Sequence, residues 1–285
     1  MSCIFCGGND ITAASYPRPT RFEGKIFSYR QCRSCKLIFI EPLPTAEDYD
    51  KMYANSYHEE FYFKETDNNY SQLFNLLNPL MKNRFILDYG CGDGSFLRFL
   101  SKRGYKCAGV EYDSGLVQKL REQNRDIQFY TVDEFWSEQN DISFWLIFFG
   151  DVLEHLATPV EFLRKIYQKM PTGGLIVAQG PLENNSSLNL LFRKMTSSLI
   201  GKDRIASHTP YHIFFSNAKN QEMLFSNTGF KTIYYKVEES PWPCPSQFSA
   251  QPVKAVQFVV GQASILFSKL LPLKMGNRFI YIGRK

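Results

Sequence analysis

The 285-residue sequence predicts an α/β protein: a mostly parallel sheet with helices on both faces, preceded by a small cysteine-bearing unit. Three observations carry that expectation. Apolar runs of strand length alternate with amphipathic stretches of helix length, and such alternation favours parallel strands joined by right-handed crossovers. A glycine-rich turn, Gly90-Cys-Gly-Asp-Gly94, joins one of those strands directly to one of those helices. Two Cys-x-x-Cys pairs stand ahead of the alternating region.

In chain order, the cysteine unit comes first. Cys3-x-x-Cys6 and Cys32-x-x-Cys35 are matched pairs separated by 25 residues and accompanied by turn-forming Gly7, Gly8 and Ser34. Thiolates on two such knuckles supply four soft ligands for a tetrahedral structural Zn²⁺, at about 2.3 Å each. A closed set of four leaves no position for substrate, so the metal is expected to organise residues 1–45 and to perform no chemistry. Two disulfides or free thiols are the competing readings. Cys91, Cys107 and Cys244 lack paired spacing and read as small buried or incidental residues. A Tyr-rich helical linker over 46–83 follows, and its Tyr49, Tyr53, Tyr57 and Tyr62 suit either interdomain packing or substrate contact.

Strands are then expected at 84–89, 106–111, 127–130, 144–149 and 174–179, with helices at 95–102, 114–123 and 158–170 between them. The domain from 84 to 285 carries two additions. In the insertion 182–215, Leu188, Leu190, Leu191, Phe192, Met195, Leu199 and Ile200 fit one amphipathic helix or two short ones, placed to roof a pocket or to cover the core. In the helical cover 242–276, the apolar stretch 255–271 is interrupted by Gln257, Gly261, Gln262, Ser264, Ser268 and Lys269 and ended by Pro272. That falls short of the roughly 20 predominantly apolar residues of a spanning helix. It reads as an amphipathic helix over the core or the active site, with contact at a membrane surface as the alternative. Strands at 230–237 and 278–283 flank it.

Composition bounds the function. A hydrophobic content of 44% with 25 Phe and 16 Tyr indicates a packed globular chain with a sizeable aromatic-lined region. The 33 basic residues are offset by 28 acidic ones, a net +5 without long basic blocks, so nucleic acid is permitted but not implied. The start Met-Ser-Cys-Ile-Phe-Cys has neither a basic n-region nor a continuous apolar h-region, so a cytoplasmic location is expected.

The glycine turn decides the ligand class. Asp88 closes the strand before it, and Phe96, Leu97, Phe99 and Leu100 give the helical pattern after it. Glycines let the main chain bend sharply and approach a ligand closely. A dinucleotide fingerprint places its third glycine three residues after the second, so that a pyrophosphate meets helix amides; here the third follows after two. Asp88 would repel a phosphate but attract, directly or through water, the ammonium of S-adenosylmethionine, whose sulfonium adds a further positive charge. Ribose hydroxyls call for a second acid about 20 residues on, and the next strand, Tyr105-Lys-Cys-Ala-Gly-Val-Glu111, ends in Glu111.

With these residues in place, the stretch from 84 to 182 resembles a class I S-adenosylmethionine-dependent methyltransferase. The motifs of that family stand here in order as Ile86-Leu-Asp-Tyr-Gly-Cys-Gly-Asp-Gly94, Gly109-Val-Glu111, Gly150-Asp-Val-Leu-Glu-His-Leu156 and Met170-Pro-Thr-Gly-Gly-Leu-Ile-Val177. The resemblance implies a Rossmann-like sheet of seven strands with the final strand inserted antiparallel. It implies that Asp88 and the turn from Gly90 through Gly92 to Gly94 hold the methionine end, Glu111 the ribose, and Val132 and Asp133 the adenine. Cys91, Tyr112 and Asp151 adjoin these positions and complete the candidate cofactor set. The chain departs from the pattern at Trp145, where such proteins usually carry an acid inside the fourth strand. A zinc-ribbon start, a Tyr-rich connection and this domain recur together in methyltransferases of sugar and secondary-metabolite pathways, including C-methyltransferases acting on nucleotide-linked keto-deoxysugars. The chain resembles these over nearly all its length.

In an open α/β sheet the ligand crevice lies beyond the carboxyl ends of the strands, which puts the loop Asp151-Val-Leu-Glu-His155-Leu156 beside the transferable methyl group. A histidine there suits proton transfer or acceptor positioning, or it braces the next helix. A second cluster, His208-Thr-Pro-Tyr-His212-Ile-Phe-Phe-Ser216, follows later. By resemblance, His212 takes the place of a family histidine near the acceptor. In the sugar C-methyltransferases that histidine follows a glutamate in a Tyr-x-Glu-His pattern, and Thr209-Pro-Tyr-His212 has no such carboxylate. Carbon transfer demands a base competent to form an enolate, so the leading expectation is O-methylation of a small-molecule hydroxyl on a sugar or glycoconjugate precursor. His155, His208 and His212 are the candidate catalytic residues. Sugar C-methylation, RNA methylation and a non-catalytic cofactor-binding scaffold are the alternatives, and RNA would require Lys and Arg clustered around the cleft.

Overall fold

Phe27 and Tyr29 in 25–32 and Ile38 and Ile40 in 38–41 fall on alternate positions and share one buried cluster of the first sheet, because every second side chain of a strand shares one face. The computed structural model describes residues 2–53, 67–81, 85–137, 144–199, 205–241, 244–245, 247–270 and 274–285. Tyr57, Tyr62, Ile200 and Pro272 lie outside them. Strands β1 (Ile11–Ala13) and β2 (Thr20–Phe22) both pair with β3 (Lys25–Cys32), which pairs in turn with β4 (Ile38–Glu41), all antiparallel. Helix α1 (Ala46–Met52) starts at Thr45, which forms a capping box with Asp48. Such a cap is worth about 1 kcal/mol. Asp48 is also ion-paired at 2.6 Å with Lys25 of β3, and Met52 packs with Phe27, Tyr29 and Ile40. Cap, ion pair and apolar anchor together fix α1 against the first sheet.

After α2 (Asp67–Met81) the chain enters the main sheet. The order is β5 (Ile86–Tyr89), α3 (Ser95–Ser101), β6 (Cys107–Glu111), α4 (Ser114–Gln123), β7 (Gln128–Thr131), α5 (Val132–Trp136) and β8 (Leu146–Gly150). A single 3₁₀ turn at Leu153–His155 leads to α6 (Pro159–Lys169), β9 (Leu175–Pro181), α7 (Leu188–Leu199), β10 (Phe214–Phe215), α8 (Ala218–Ser226), β11 (Lys231–Glu238), α9 (Pro252–Leu270) and β12 (Arg278–Arg284). The seven strands lie in the order β11-β12-β9-β8-β5-β6-β7. β12 is antiparallel to both of its neighbours, and the pairings among β5 to β9 are parallel. This is the Rossmann-like architecture expected, with the antiparallel insertion.

The parallel strands are apolar on both faces, as burial beneath two helical layers requires. Leu87, Tyr89, Ala108, Val110, Ile147, Phe149, Ile176 and Ala178 belong to one buried cluster, and Ile86, Cys107, Leu146, Phe148, Leu175 and Val177 to the other. The first cluster continues without a break into the N-terminal unit through Cys3, Phe5, Leu37 and Phe39.

The strands β1 to β4 and two short later elements were not among the elements expected from the sequence. α5 is a five-residue helix started by a second capping box, Thr131 with Glu134. β10 is only two residues long and pairs with β4, Phe214 opposite Phe39 and Phe215 opposite Ile38. The last strand of the N-terminal sheet therefore comes from the far side of the main sheet in sequence. No described helix is long and apolar enough to cross a membrane.

Candidate active site

The glycine turn is built from β5, α3 and the end of β6. Gly90 has φ +79°, and a Cβ on it would lie 2.5 Å from Val152 Cγ2, so only glycine fits. The amides of Gly90 and Cys91 donate to the Val110 carbonyl at 2.8 and 3.0 Å. Glu111, buried at the end of β6, accepts from Gly92 N–H at 2.9 Å with Oε2 and from Tyr112 N–H at 2.8 Å with Oε1. These amides hold the carboxylate in place before any ligand arrives. Asp88 is buried at the end of β5.

A cavity of about 430 Å³ opens where the strand order reverses, and Gly90, Glu111, Tyr112, Val132, Asp151 and His155 of the expected residues line it. The other candidates do not. Cys91 turns its sulfur into the core, where a Cβ on Gly109 would sit 2.6 Å from it. Gly94 is the N-cap of α3, and Asp133 is exposed at the start of α5. Asp88 and Gly92 also lie outside the lining. Asp151 has φ +54°, and both its carboxylate oxygens accept at 2.8 Å from Nη2 of Arg278 in β12.

Tyr49 and Tyr53, stacked at 6.2 Å, add two aromatic walls to this cavity. Their i, i+4 spacing puts them on the same side of α1. Tyr49 Oη donates to the His155 carbonyl at 2.8 Å, and Tyr112 Oη donates to Asp50 at 2.7 Å. Of the four linker tyrosines raised by the sequence, Tyr49 and Tyr53 are the described ones, and both reach the site.

A second cavity, of about 570 Å³, adjoins the first. Tyr16, Arg18, Glu183, Arg193, His208 and His212 are among its lining residues. The boundary is formed by two imidazoles: His155 faces the first cavity and His212 the second, with ring centroids 4.9 Å apart at 78°. His155 Nδ1 lies 2.9 Å from the Tyr211 carbonyl and 2.8 Å from Tyr53 Oη. A carbonyl only accepts, so Nδ1 carries the proton and Nε2 keeps its lone pair. Burial, aided by the nearby His212 charge, holds His155 down at about 3, so it is neutral at physiological pH. The amide and carbonyl of His208 are pinned by the Thr20 hydroxyl, at 3.2 and 2.7 Å.

His212 has the carboxylate that its sequence neighbourhood lacks. Nδ1 lies 2.5 Å from Glu183 Oε2. Burial opposes the charge on His212, but Glu183, with Glu154 and Asp151 behind it, outweighs burial and raises the imidazole to about 9. Glu154 is buried and pushed up to about 8, by burial first and the Asp151 charge second. Its Oε1 has no hydrogen-bond partner among the described residues. Glu154, His155 and His212 bring one donor atom each within 4.8 Å. Glu183 and Glu154 were missed as site residues. Glu183 follows β9 within two residues, and its place beyond a strand's carboxyl end was the available signal.

At the N-terminus the four expected cysteines converge. Their sulfurs lie within 4.8 Å of one another, with Cys3–Cys35 at 3.5 Å and Cys6–Cys32 at 3.6 Å. A tetrahedron with 2.3 Å bonds has edges of about 3.8 Å. The knuckles match: Gly7 N–H donates to the Cys3 carbonyl and Lys36 N–H to the Cys32 carbonyl, each at 2.9 Å and each with φ near +65° to +69°. A Cβ on Gly8 would stand 3.3 Å from Cys6 Sγ. Asn184 and Asn220 donate to the carbonyls of Lys36 and Cys35, tying the second knuckle to the main domain.

Comparison with known proteins agrees with this geometry. The chain belongs to the methyltransferase-domain family, whose profile matches residues 59–235. It is similar to the mitochondrial ubiquinone biosynthesis O-methyltransferase of Dictyostelium discoideum, 26% identical over 140 residues, which are 44% of this chain and 41% of that protein. The alignment thus spans less than half of that relative. Among solved structures, a SAM-dependent methyltransferase from Archaeoglobus fulgidus has TM-score 0.53 at 19% identity, covering 81% of this chain and all of that one. One from Methanosarcina mazei has TM-score 0.51 at 15% identity, covering 74% of this chain and 96% of the other. At these identities the structures share the fold.

Proposed function

We propose that this methyltransferase acts on a hydroxyl of a sugar or glycoconjugate precursor, with the cofactor in the cavity beside Glu111 and the acceptor in the cavity beside His212. The observation that carries the reading is the contact of His155 and His212 across the boundary of two adjoining cavities. A donor chamber and an acceptor chamber must meet where the group is transferred. Glu111 on the cavity wall fits a donor bearing a ribose, with the Asp88 charge buried behind the turn, and S-adenosylmethionine supplies the electrophilic methyl group when bound. Holding donor and acceptor in line can account for roughly 7–11 kcal/mol of the barrier.

The protein's own part is positioning and proton handling. His212 gives its Nδ1 proton to the Glu183 hydrogen bond, and its Nε2, when neutral, takes the acceptor hydroxyl's proton. Glu183 stabilises the imidazolium that results. His155, held neutral and oriented by the Tyr211 carbonyl, lends its ring to the boundary and no charge. Tyr16, Tyr29 and Tyr211 offer faces and hydroxyls suited to a polyhydroxylated acceptor. The four cysteines are taken to hold a structural zinc that organises residues 1–45, and the distances above support that reading.

Carbon transfer is the second reading, because Glu183 restores the carboxylate whose absence from the sequence spoke against it. The test is a screen of nucleotide sugars, glycans and RNA with labelled cofactor, read by mass for one added methylene and by NMR for the atom that carries it. An O-methyl resonance on a sugar supports the leading reading, a C-methyl resonance replaces it with the second, and labelled RNA alone overturns both.

A further inference from the structure

Helix α9 is inside out. Over its 19 residues, about 28 Å of helix, a stripe of polar and small side chains faces the protein and a stripe of apolar ones faces solvent. Gln257, Gly261, Ser264 and Ser268 recur at spacings of four, three and four and mark the inward stripe. Gly261 and Ser264 are buried, and Ser264 Oγ donates to Glu239 at 2.8 Å. On the opposite side Val256, Val259, Leu266 and Leu270 are 52%, 60%, 57% and 68% exposed. A helix covering a core would show the reverse, and the expected cover over core or active site does not account for this outer face.

The surface extends onto the neighbouring helix. Leu191 of α7 is also exposed, and Leu188, Leu191, Phe192, Val260 and Ala263 line a shallow groove of about 230 Å³ between α7 and α9. The charge on the two helices has one sign: Arg193, Lys194, Lys254 and Lys269 are basic, and neither helix contains Asp or Glu. Lys254 and Lys269 stand near the two ends of the apolar stripe. Arg193 lines the second cavity and Lys194 is half-buried and donates to Asn184, so the exposed cations are Lys254 and Lys269. An apolar helical face with a lysine near each end matches the surface of an anionic bilayer, where acyl chains receive the side chains and headgroups receive the lysines.

We propose that α7 and α9 dock this methyltransferase on an anionic phospholipid membrane, lying in the interface plane. The same helices contribute Arg193, Thr196 and Gln257 to the wall of the second cavity, so docking would hold that cavity at the bilayer surface, within reach of an acceptor carried on a lipid. The docking itself is independent of which acceptor is methylated and of whether the assignment of the cavities holds.

The test is sedimentation of the full chain with phosphatidylcholine vesicles, with and without phosphatidylglycerol, at low and high salt. The protein is expected to pellet with the anionic vesicles and to be released by salt. The double variant Val259→Glu/Leu266→Glu should lose at least ~10-fold in partitioning with unchanged circular dichroism and unchanged S-adenosylmethionine binding by calorimetry. Lys254→Ala/Lys269→Ala should retain the fold and lose the preference for phosphatidylglycerol. Failure of the wild-type chain to pellet overturns the proposal, and so does equal pelleting of the Glu variant. Lipid-free self-association that the Glu variant abolishes, without vesicle binding, would assign the face to a second copy of the chain and overturn it as well.

Discussion

The cavity proposed for the cofactor and the one proposed for the acceptor share a wall but not a manner of construction. Apart from α1, the first is drawn from one continuous stretch, Tyr89 to Phe162, in which each functional residue follows the end of a strand. The second gathers Tyr16 and Arg18, Tyr29, Glu183, Arg193, the 206–215 segment and Gln257, residues from distant parts of the chain that meet where β10 pairs with β4 and Ala206 bridges to Thr20. A site made of local turns depends on its own sheet. A site made of distant segments depends on whatever holds those segments together, and here that is the cysteine unit.

The strongest way to break this contrast is to break the four-cysteine cluster proposed to hold zinc. Four thiolates around zinc are worth on the order of 10 kcal/mol to a small unit, so Cys32→Ser is expected to abolish bound zinc by elemental analysis and to lower the melting temperature. It should also abolish turnover, while cofactor affinity by calorimetry falls far less. Parallel loss of affinity and turnover would show that the chambers are not separable. The converse substitution is Glu111→Ala, which removes a charged acceptor from the Gly92 amide and from the cofactor. Its cofactor affinity is expected to fall about 100-fold, with zinc content unchanged.

At the shared wall, His212→Ala should cost roughly 10²–10⁴ in kcat if a base is lost, with cofactor affinity preserved. A loss confined to KM would leave His212 as a binding residue. The smallest effect is also the most diagnostic. His212 is raised to about 9, so it is protonated at neutral pH and cannot accept a proton; kcat/KM should climb as pH rises and level off above about 9. Glu183→Gln removes the charge that raises it, and the inflection should move to lower pH. An unmoved profile would mean that the titrating group is not His212.

How much could be read from the sequence follows the same division. Asp88, Gly90 and Glu111 declared themselves because strand, turn and helix are local patterns with fixed spacings, and the main sheet strands fall within about two residues of expectation for that reason. Cys3, Cys6, Cys32 and Cys35 were legible by spacing as well. Glu183 was not, because 28 residues separate it from His212 in the sequence and only the fold brings its carboxylate to the imidazole. β10 is too short to carry a period. Outward-facing Val256 and Val259 were hidden for another reason: periodicity identifies two faces of a helix but does not say which one meets water.

The pairing of β4 with β10 also sets a schedule for synthesis. Phe39 and Ile38 leave the ribosome long before Phe214 and Phe215, with the whole cofactor-binding region made in between. During that interval β4 presents an unsatisfied row of amides and carbonyls, an open edge of the sort that recruits stray strands from other chains. The hydrophobic side chains on it wait as well. Completion of the N-terminal sheet is thus a late, long-range event, and nascent chains stalled before residue 214 should be the ones that stick to one another.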